Sequence, residues 1–255
     1  QAKIPAGTGI VRLLPERLPE VERWDLDTPV LYDVEMTLLH EGKTLDAQQE
    51  RVGFRTTTVS PEGFFLNGRK LKLIGLNRHQ SFPYVGYAMG KRPQQKDADI
   101  LKFELGLNTV RCSHYIQSRY FLDRCDEIGL MAFEEIPGWA HIGGEEYKQV
   151  SFNDLREMVL GHFNHPSIII WGTRLNESAD DNEFYSETNR RCKEMDPTRP
   201  TTGVRCHTGS PLLEDIYSFN DYTPPSNGEF MLQTPQAVTE LPYKVPYLLS
   251  EHTAP

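Results

Sequence analysis

The sequence predicts an α/β fold: a (β/α)8 TIM barrel cut after its seventh strand, preceded by part of an immunoglobulin-like β-sandwich. Three observations carry this reading. From residue 65 onward, short apolar runs alternate with amphipathic helical patterns, the signature of parallel βαβ units. The first 60 residues carry strand patterns without helical periodicity. Polar and titratable residues stand at the ends of six of the seven predicted barrel strands, where folds of this kind gather their chemistry.

In the N-terminal part, residues 30–39 and 47–58 predict two strands joined by the turn His40-Glu41-Gly42-Lys43, with Asp27-Thr28-Pro29 as a turn signal ahead of them. Barrel strands are predicted over 71–76, 109–112, 130–134, 167–171, 201–204, 216–219 and 247–249. A helix over 96–105 follows the first. The next, over 118–128, carries Phe121, Cys125 and Ile128 on one face. A third aligns Phe152, Leu155 and Val159, and a fourth aligns Phe184, Thr188, Cys192 and Met195. Residues 223–228 read as a surface loop rich in Pro, Ser, Asn and Gly.

These elements divide the chain into a partial sandwich domain, 1–60, and a barrel domain, 61–255. A barrel takes ~250 residues and an immunoglobulin-like sandwich ~100; neither part reaches its length. The chain is therefore expected to be an internal segment, with the last barrel strand and its helices lying outside it. Strands one and seven would then be sheet edges with unpaired backbone groups.

Composition removes several classes. Hydrophobic residues make up 38% of the chain, enough for a sizeable core. A net charge of -9 argues against a nucleic-acid partner. No apolar run approaches ~18 residues, so no membrane-spanning helix is expected. Residues 1–10 lack the basic start and apolar run of a signal peptide; the compartment stays open. Cys112, Cys125, Cys192 and Cys206 form no CxxC pair and read as buried free thiols.

The strand ends read, in order, Asn77-Arg78-His79, then Arg111-Cys112-Ser113-His114-Tyr115, Glu134-Glu135, Asn176-Glu177, Asn220-Asp221-Tyr222 and Ser250-Glu251-His252. The fourth and seventh strands place carboxylates across the barrel mouth from each other. Two facing carboxyls suit glycoside hydrolysis: one protonates the leaving oxygen and the other attacks the anomeric carbon.

Several stretches in colinear order resemble family 2 of the glycoside hydrolases, the β-galactosidases and β-glucuronidases. Trp24, Pro29-Val30-Leu31-Tyr32 and Gly53-Phe54-Arg55 resemble the family's sandwich running into its barrel. Leu66-Asn67-Gly68-Arg69 and Gly75-Leu76-Asn77-Arg78-His79 are similar to its barrel entry. Val110 to Tyr115 and Cys125-Asp126-Glu127-Ile128-Gly129-Leu130 follow the pattern. His165-Pro166-Ser167-Ile168-Ile169-Ile170-Trp171-Gly172 with Asn176-Glu177-Ser178 resembles the acid/base signature, and Ser250-Glu251-His252 the nucleophile strand.

The resemblance implies a retaining exo-β-glycosidase, first a β-galactosidase, with β-glucuronidase or β-mannosidase as alternatives. A catalytically silent carbohydrate-binding or scaffold module is the alternative of another class. Glu177 would be the general acid/base and Glu251 the nucleophile, kept ionised by Arg111. Asn176 would contact the sugar 2-hydroxyl and Tyr222 the nucleophile. His79 and His114 would contact hydroxyls, Asn220 and Glu135 would support the site, and Trp139 would stack on a sugar face. Trp171 could stack likewise or belong to the core. His162 and His165 read as a helix-to-strand connection. Pro137 stands where some β-galactosidases carry a metal-binding histidine, so no metal and no cofactor is expected. The expected partner is a carbohydrate substrate, with no nucleic acid and no membrane; a homo-oligomer is left open.

Overall fold

A computed structural model describes residues 20–222 and 231–252. The signal-peptide reading of 1–10 and the loop at 223–228 lie outside the described residues.

The N-terminal strands are β1 (Tyr32–His40) and β2 (Lys43–Val52), an antiparallel hairpin. Glu41 and Gly42 turn it with φ of 48° and 77°, the two left-handed residues a tight hairpin turn requires. The second strand ends at Val52, short of the expected 58. Gly53 lies against Pro166, where an added Cβ would come within 2.6 Å of the ring. Arg55 then donates to the carbonyls of Pro166 and Ile168. These contacts take the chain off the hairpin and dock it on the barrel.

A three-stranded antiparallel sheet follows that the sequence reading did not separate: β3 (Thr57–Ser60), β4 (Gly63–Leu66) and β5 (Arg69–Leu71). Asn67 and Gly68 turn β4 into β5 with φ of 53° and 82°. Phe64 and Leu66 share a core with Trp24, Phe133, Ile170 and Val204, so this sheet packs on the barrel.

The barrel strands are β6 (Gly75–Arg78), β7 (Thr109–Cys112), β8 (Met131–Glu135), β9 (Ile168–Gly172), β10 (Thr201–Arg205), β11 (Ile216–Asp221) and β12 (Tyr247–His252). They form one parallel sheet in chain order, a nearly closed TIM-like barrel with β6 and β12 at its ends. A groove of about 930 Å³ runs between those two strands, lined by Leu73, Leu76, Ile170 and Leu248 among others. The first strand begins at Gly75, not at 71, because Leu71 pairs with Phe64 in the small sheet. Gly75 also lets β7 approach: a Cβ there would sit 2.2 Å from the Thr109 carbonyl oxygen.

The helices are α1 (Lys91–Asp99), prolonged by a π-helical turn (Ile100–Glu104), then α2 (Arg119–Ile128), α3 (Glu145–His162), α4 (Asn182–Met195) and the short α5 (Pro235–Thr239). The first starts five residues before its expected position. The short α5 has no counterpart in the sequence reading; one turn is too brief for periodicity to register. Ser118 caps α2 through the Tyr120 N–H, and Gly129 ends it in the left-handed conformation. Phe121, Cys125, Leu155, Phe184 and Cys192 form the layer between helices and sheet. Trp171 is fully buried there and its indole N–H donates to Asp196; it is core, not a sugar platform. Cys112, Cys125 and Cys192 are buried free thiols, whereas Cys206 lies just past β10 and is half-buried.

Candidate active site

Strand alternation decides which end residues enter the barrel mouth. On β8, Glu134 and Glu135 are neighbours and both buried, yet they face opposite ways. Glu134 accepts the Gln117 N–H at 2.8 Å and meets His162 Nδ1 at 2.9 Å. Glu135 turns to Arg111 at the end of β7, with contacts from 2.9 to 3.3 Å. His165 faces Asp126 at 2.6 Å, so neither connection histidine joins the site.

Arg111 is the hub. Its buried guanidinium also donates to Asn176 Oδ1 at 2.8 Å and to Glu251 Oε1 at 2.5 Å. A planar fork of N–H donors can serve three acceptors in fixed directions. Glu251, on β12, receives the Tyr222 hydroxyl on its other oxygen. Burial, then the adjoining Glu251 carboxylate, push the Tyr222 phenol well up, so it stays a donor.

Glu177 stands one residue beyond Asn176 in the loop after β9. Asn220 Nδ2 donates to its Oε1 at 2.9 Å and Trp139 Nε1 to its Oε2 at 3.2 Å. Asn220 is held in turn by the Ser250 hydroxyl at 2.9 Å and reaches Asn176 at 3.3 Å. The two glutamates thus join one network through Arg111, Asn176 and Asn220. Their environments differ: Glu251 has a cation and a phenol, Glu177 two neutral donors.

His114 touches Glu135 at 2.8 Å through Nδ1, and its Nε2 lies 3.8 Å from Glu251. His79 packs edge-on against it at 5.3 Å between ring centroids. Burial, then the neighbouring His114, lower the His79 pKa and favour the neutral ring. Trp139 is 65% exposed beside Glu177, free to offer a ring face.

The structure brings ten of the residues named from the sequence to one mouth, Glu177, Glu251, Asn176, Arg111, His79, His114, Tyr222, Asn220, Glu135 and Trp139, whereas Glu134 and Trp171 turn away from it. Sequence reasoning missed Ser250 as a support, although it stands beside Glu251; a serine carries little signal by type alone. It also missed Arg174, a cation set inside the otherwise apolar and small stretch before Asn176.

A barrel with paired glutamates at the ends of its fourth and seventh strands is a glycosidase-like architecture. The chain belongs to glycoside hydrolase family 2. The profile described as "Glycosyl hydrolases family 2, TIM barrel domain" matches residues 57–254, and that described as "Glycosyl hydrolases family 2" matches 5–55. A beta-galactosidase of Thermoanaerobacterium thermosulfurigenes is 52% identical over 237 residues, covering 93% of this chain and 33% of the relative. A beta-glucuronidase of Bacteroides fragilis is 34% identical, covering 92% and 36%. The solved FMN-binding beta-glucuronidase of Facaelibacterium prausnitzii L2-6 superposes with a TM-score of 0.75 at 34% identity, covering 80% of this chain and 33% of that one. The chain spans about a third of the length of these relatives.

Proposed function

We propose that this chain carries the catalytic pair of a retaining exo-β-glycosidase acting on β-galactosides. The observation that carries the reading is the asymmetric pair: Glu251 held by Arg111 and Tyr222, Glu177 by Asn220 and Trp139. The guanidinium and the phenol grip and aim the carboxylate that would attack, while Glu177, held by two neutral side chains, has no ion-pair partner among the described residues.

In the first step a Glu251 oxygen bonds to the anomeric carbon as the glycosidic C–O bond breaks. Glu177 gives its proton to the departing oxygen. In the second step Glu177 takes a proton from water, whose oxygen displaces the Glu251 ester. Asn176 holds the sugar 2-hydroxyl, and His79 and His114 hold further hydroxyls. Glu135 fixes Arg111 and His114, and Trp139 stacks beside the leaving group. The substrate partner is a carbohydrate.

The galactoside reading rests on the 52% identity to a beta-galactosidase. The 34% identity to a beta-glucuronidase favours a glucuronide as the second reading. A panel of 4-nitrophenyl β-glycosides given to the intact protein separates them. The galactoside is expected to show the highest kcat/KM. Preference for the glucuronide would move the assignment to the second reading, and hydrolysis of none would leave a silent binding module.

A further inference from the structure

We infer that Arg174 is a positioning residue for the acid/base: its buried guanidinium clamps the turn that presents Glu177 and fixes the aim of that carboxyl. This rests on the reading of Glu177 as proton donor.

Arg174 is 1% exposed. Its Nη2 donates to the carbonyl of Ser178, the residue directly after Glu177, at 2.9 Å, and to Asp180 Oδ1 at 2.6 Å. Its guanidinium lies 4.8 Å from the Tyr185 ring centroid, and the Tyr185 hydroxyl meets Ser178 Oγ at 2.5 Å. Both ends of the peptide segment after Glu177 are therefore tied to one cation. On the other side, the Glu177 N–H donates to the Val204 carbonyl at 3.1 Å.

Glu177 needs such ties. Its φ is 55°, a conformation that a non-glycine side chain adopts only when its surroundings over-determine it. Released from the Ser178 carbonyl, the residue can relax toward negative φ and swing its carboxyl away from Asn220 and Trp139.

Arg174 is a poor choice for stability alone. Its Nε and Nη1, and Oε1 of nearby Glu214, are buried without hydrogen-bond partners among the described residues. Glu214 and Arg174 crowd the same glycine, Gly203, where a Cβ would come within 2.2 Å of Glu214 Oε1 and 2.7 Å of Arg174 Cβ. A buried charge with unmet donors is often matched or bettered by an apolar side chain of similar size. What an apolar side chain cannot supply is a donor directed at two acceptors at once.

The test is kcat/KM, which reports the first chemical step, measured on the intact protein with two classes of leaving group. A misaimed proton donor harms poor leaving groups, such as alkyl glycosides, and spares activated dinitrophenyl glycosides. Arg174→Met should lose about 10²-fold on the former, the scale of a 1 Å misplacement, and stay within a few-fold on the latter. Asp180→Ala, which removes one acceptor at a 39% exposed side chain, should show the same split more weakly and serves if Arg174→Met fails to fold. Equal losses on both classes, or none, overturn the inference. Glu177→Gln runs in parallel: if it shows no leaving-group split, the reading of Glu177 fails; if it alone shows one, only the role of Arg174 fails.

Discussion

A carboxylate proposed to attack carbon needs its direction fixed. Glu251 is gripped on one oxygen by Arg111 and on the other by Tyr222. Tyr222→Phe removes one donor and little else, since the ring is 47% exposed; kcat should fall about 10²-fold, the scale of losing one preorganised donor, with an unchanged urea midpoint. Arg111→Met is a different experiment. It strands the buried Glu135 carboxylate, so activity should vanish and stability should drop by about 3–5 kcal/mol in a urea titration, as when one partner of a buried pair is removed. At this scale residue type and strand-end position were legible in the sequence, because chemistry sets them. Facing was less so: Glu134 and Glu135 are the same residue in adjacent positions, and only the strand's final register aims one at Arg111 and the other at His162. Arg174 was invisible because its partners are a backbone carbonyl and a carboxylate four and six residues on, on a turn that periodicity does not describe.

Elements carry their own tests. Asp196 follows α4 and binds Arg199 at 2.5 Å, the Thr198 N–H and the Trp171 indole. Burial alone would raise its carboxyl, but Arg199 and these donors outweigh it and lower it from the ordinary 3.8 to about 2. A carboxyl lowered by folding contributes stability that is present above pH 3.8 and lost as pH falls through about 2. The Tm gap between the parent and Asp196→Asn should therefore be widest above about pH 4 and close toward pH 2. Of the elements themselves, barrel strands two to six were legible within two residues at either end, because each is a short run buried along its length. The seventh starts where expected at Tyr247 but runs on to His252, since its polar end turns into the mouth and pairs with β11 rather than ending with the apolar run. The first was misplaced because the apolar run at 71–76 is shared between the small sheet and the barrel. A stretch that serves two sheets has no single periodicity to read.

At the scale of the molecule, strand order determines what the pair of glutamates can do. Two strands, β10 and β11, separate β9 from β12 in the sheet, and curvature brings the ends of β9 and β12 to opposite sides of one mouth. The Arg111, Asn176 and Asn220 side chains bridge that mouth in direct hydrogen bonds from Glu251 to Glu177. The retaining reading requires the two carboxyls to stand ~5–5.5 Å apart, with Glu251 itself in the attacking position. An inverting enzyme needs ~6.5–9.5 Å, so that water fits on that side. The expected outcome is that NMR of a β-galactoside digest shows the β-anomer of the sugar first, with the α-anomer appearing only by mutarotation. A 2-deoxy-2-fluoro galactoside with an activated leaving group should accumulate as an ester on Glu251, found by mass spectrometry of the peptide that contains it. An α-anomer formed first would mean that water, not Glu251, makes the new bond, and a label on any other carboxylate would remove Glu251 from its role.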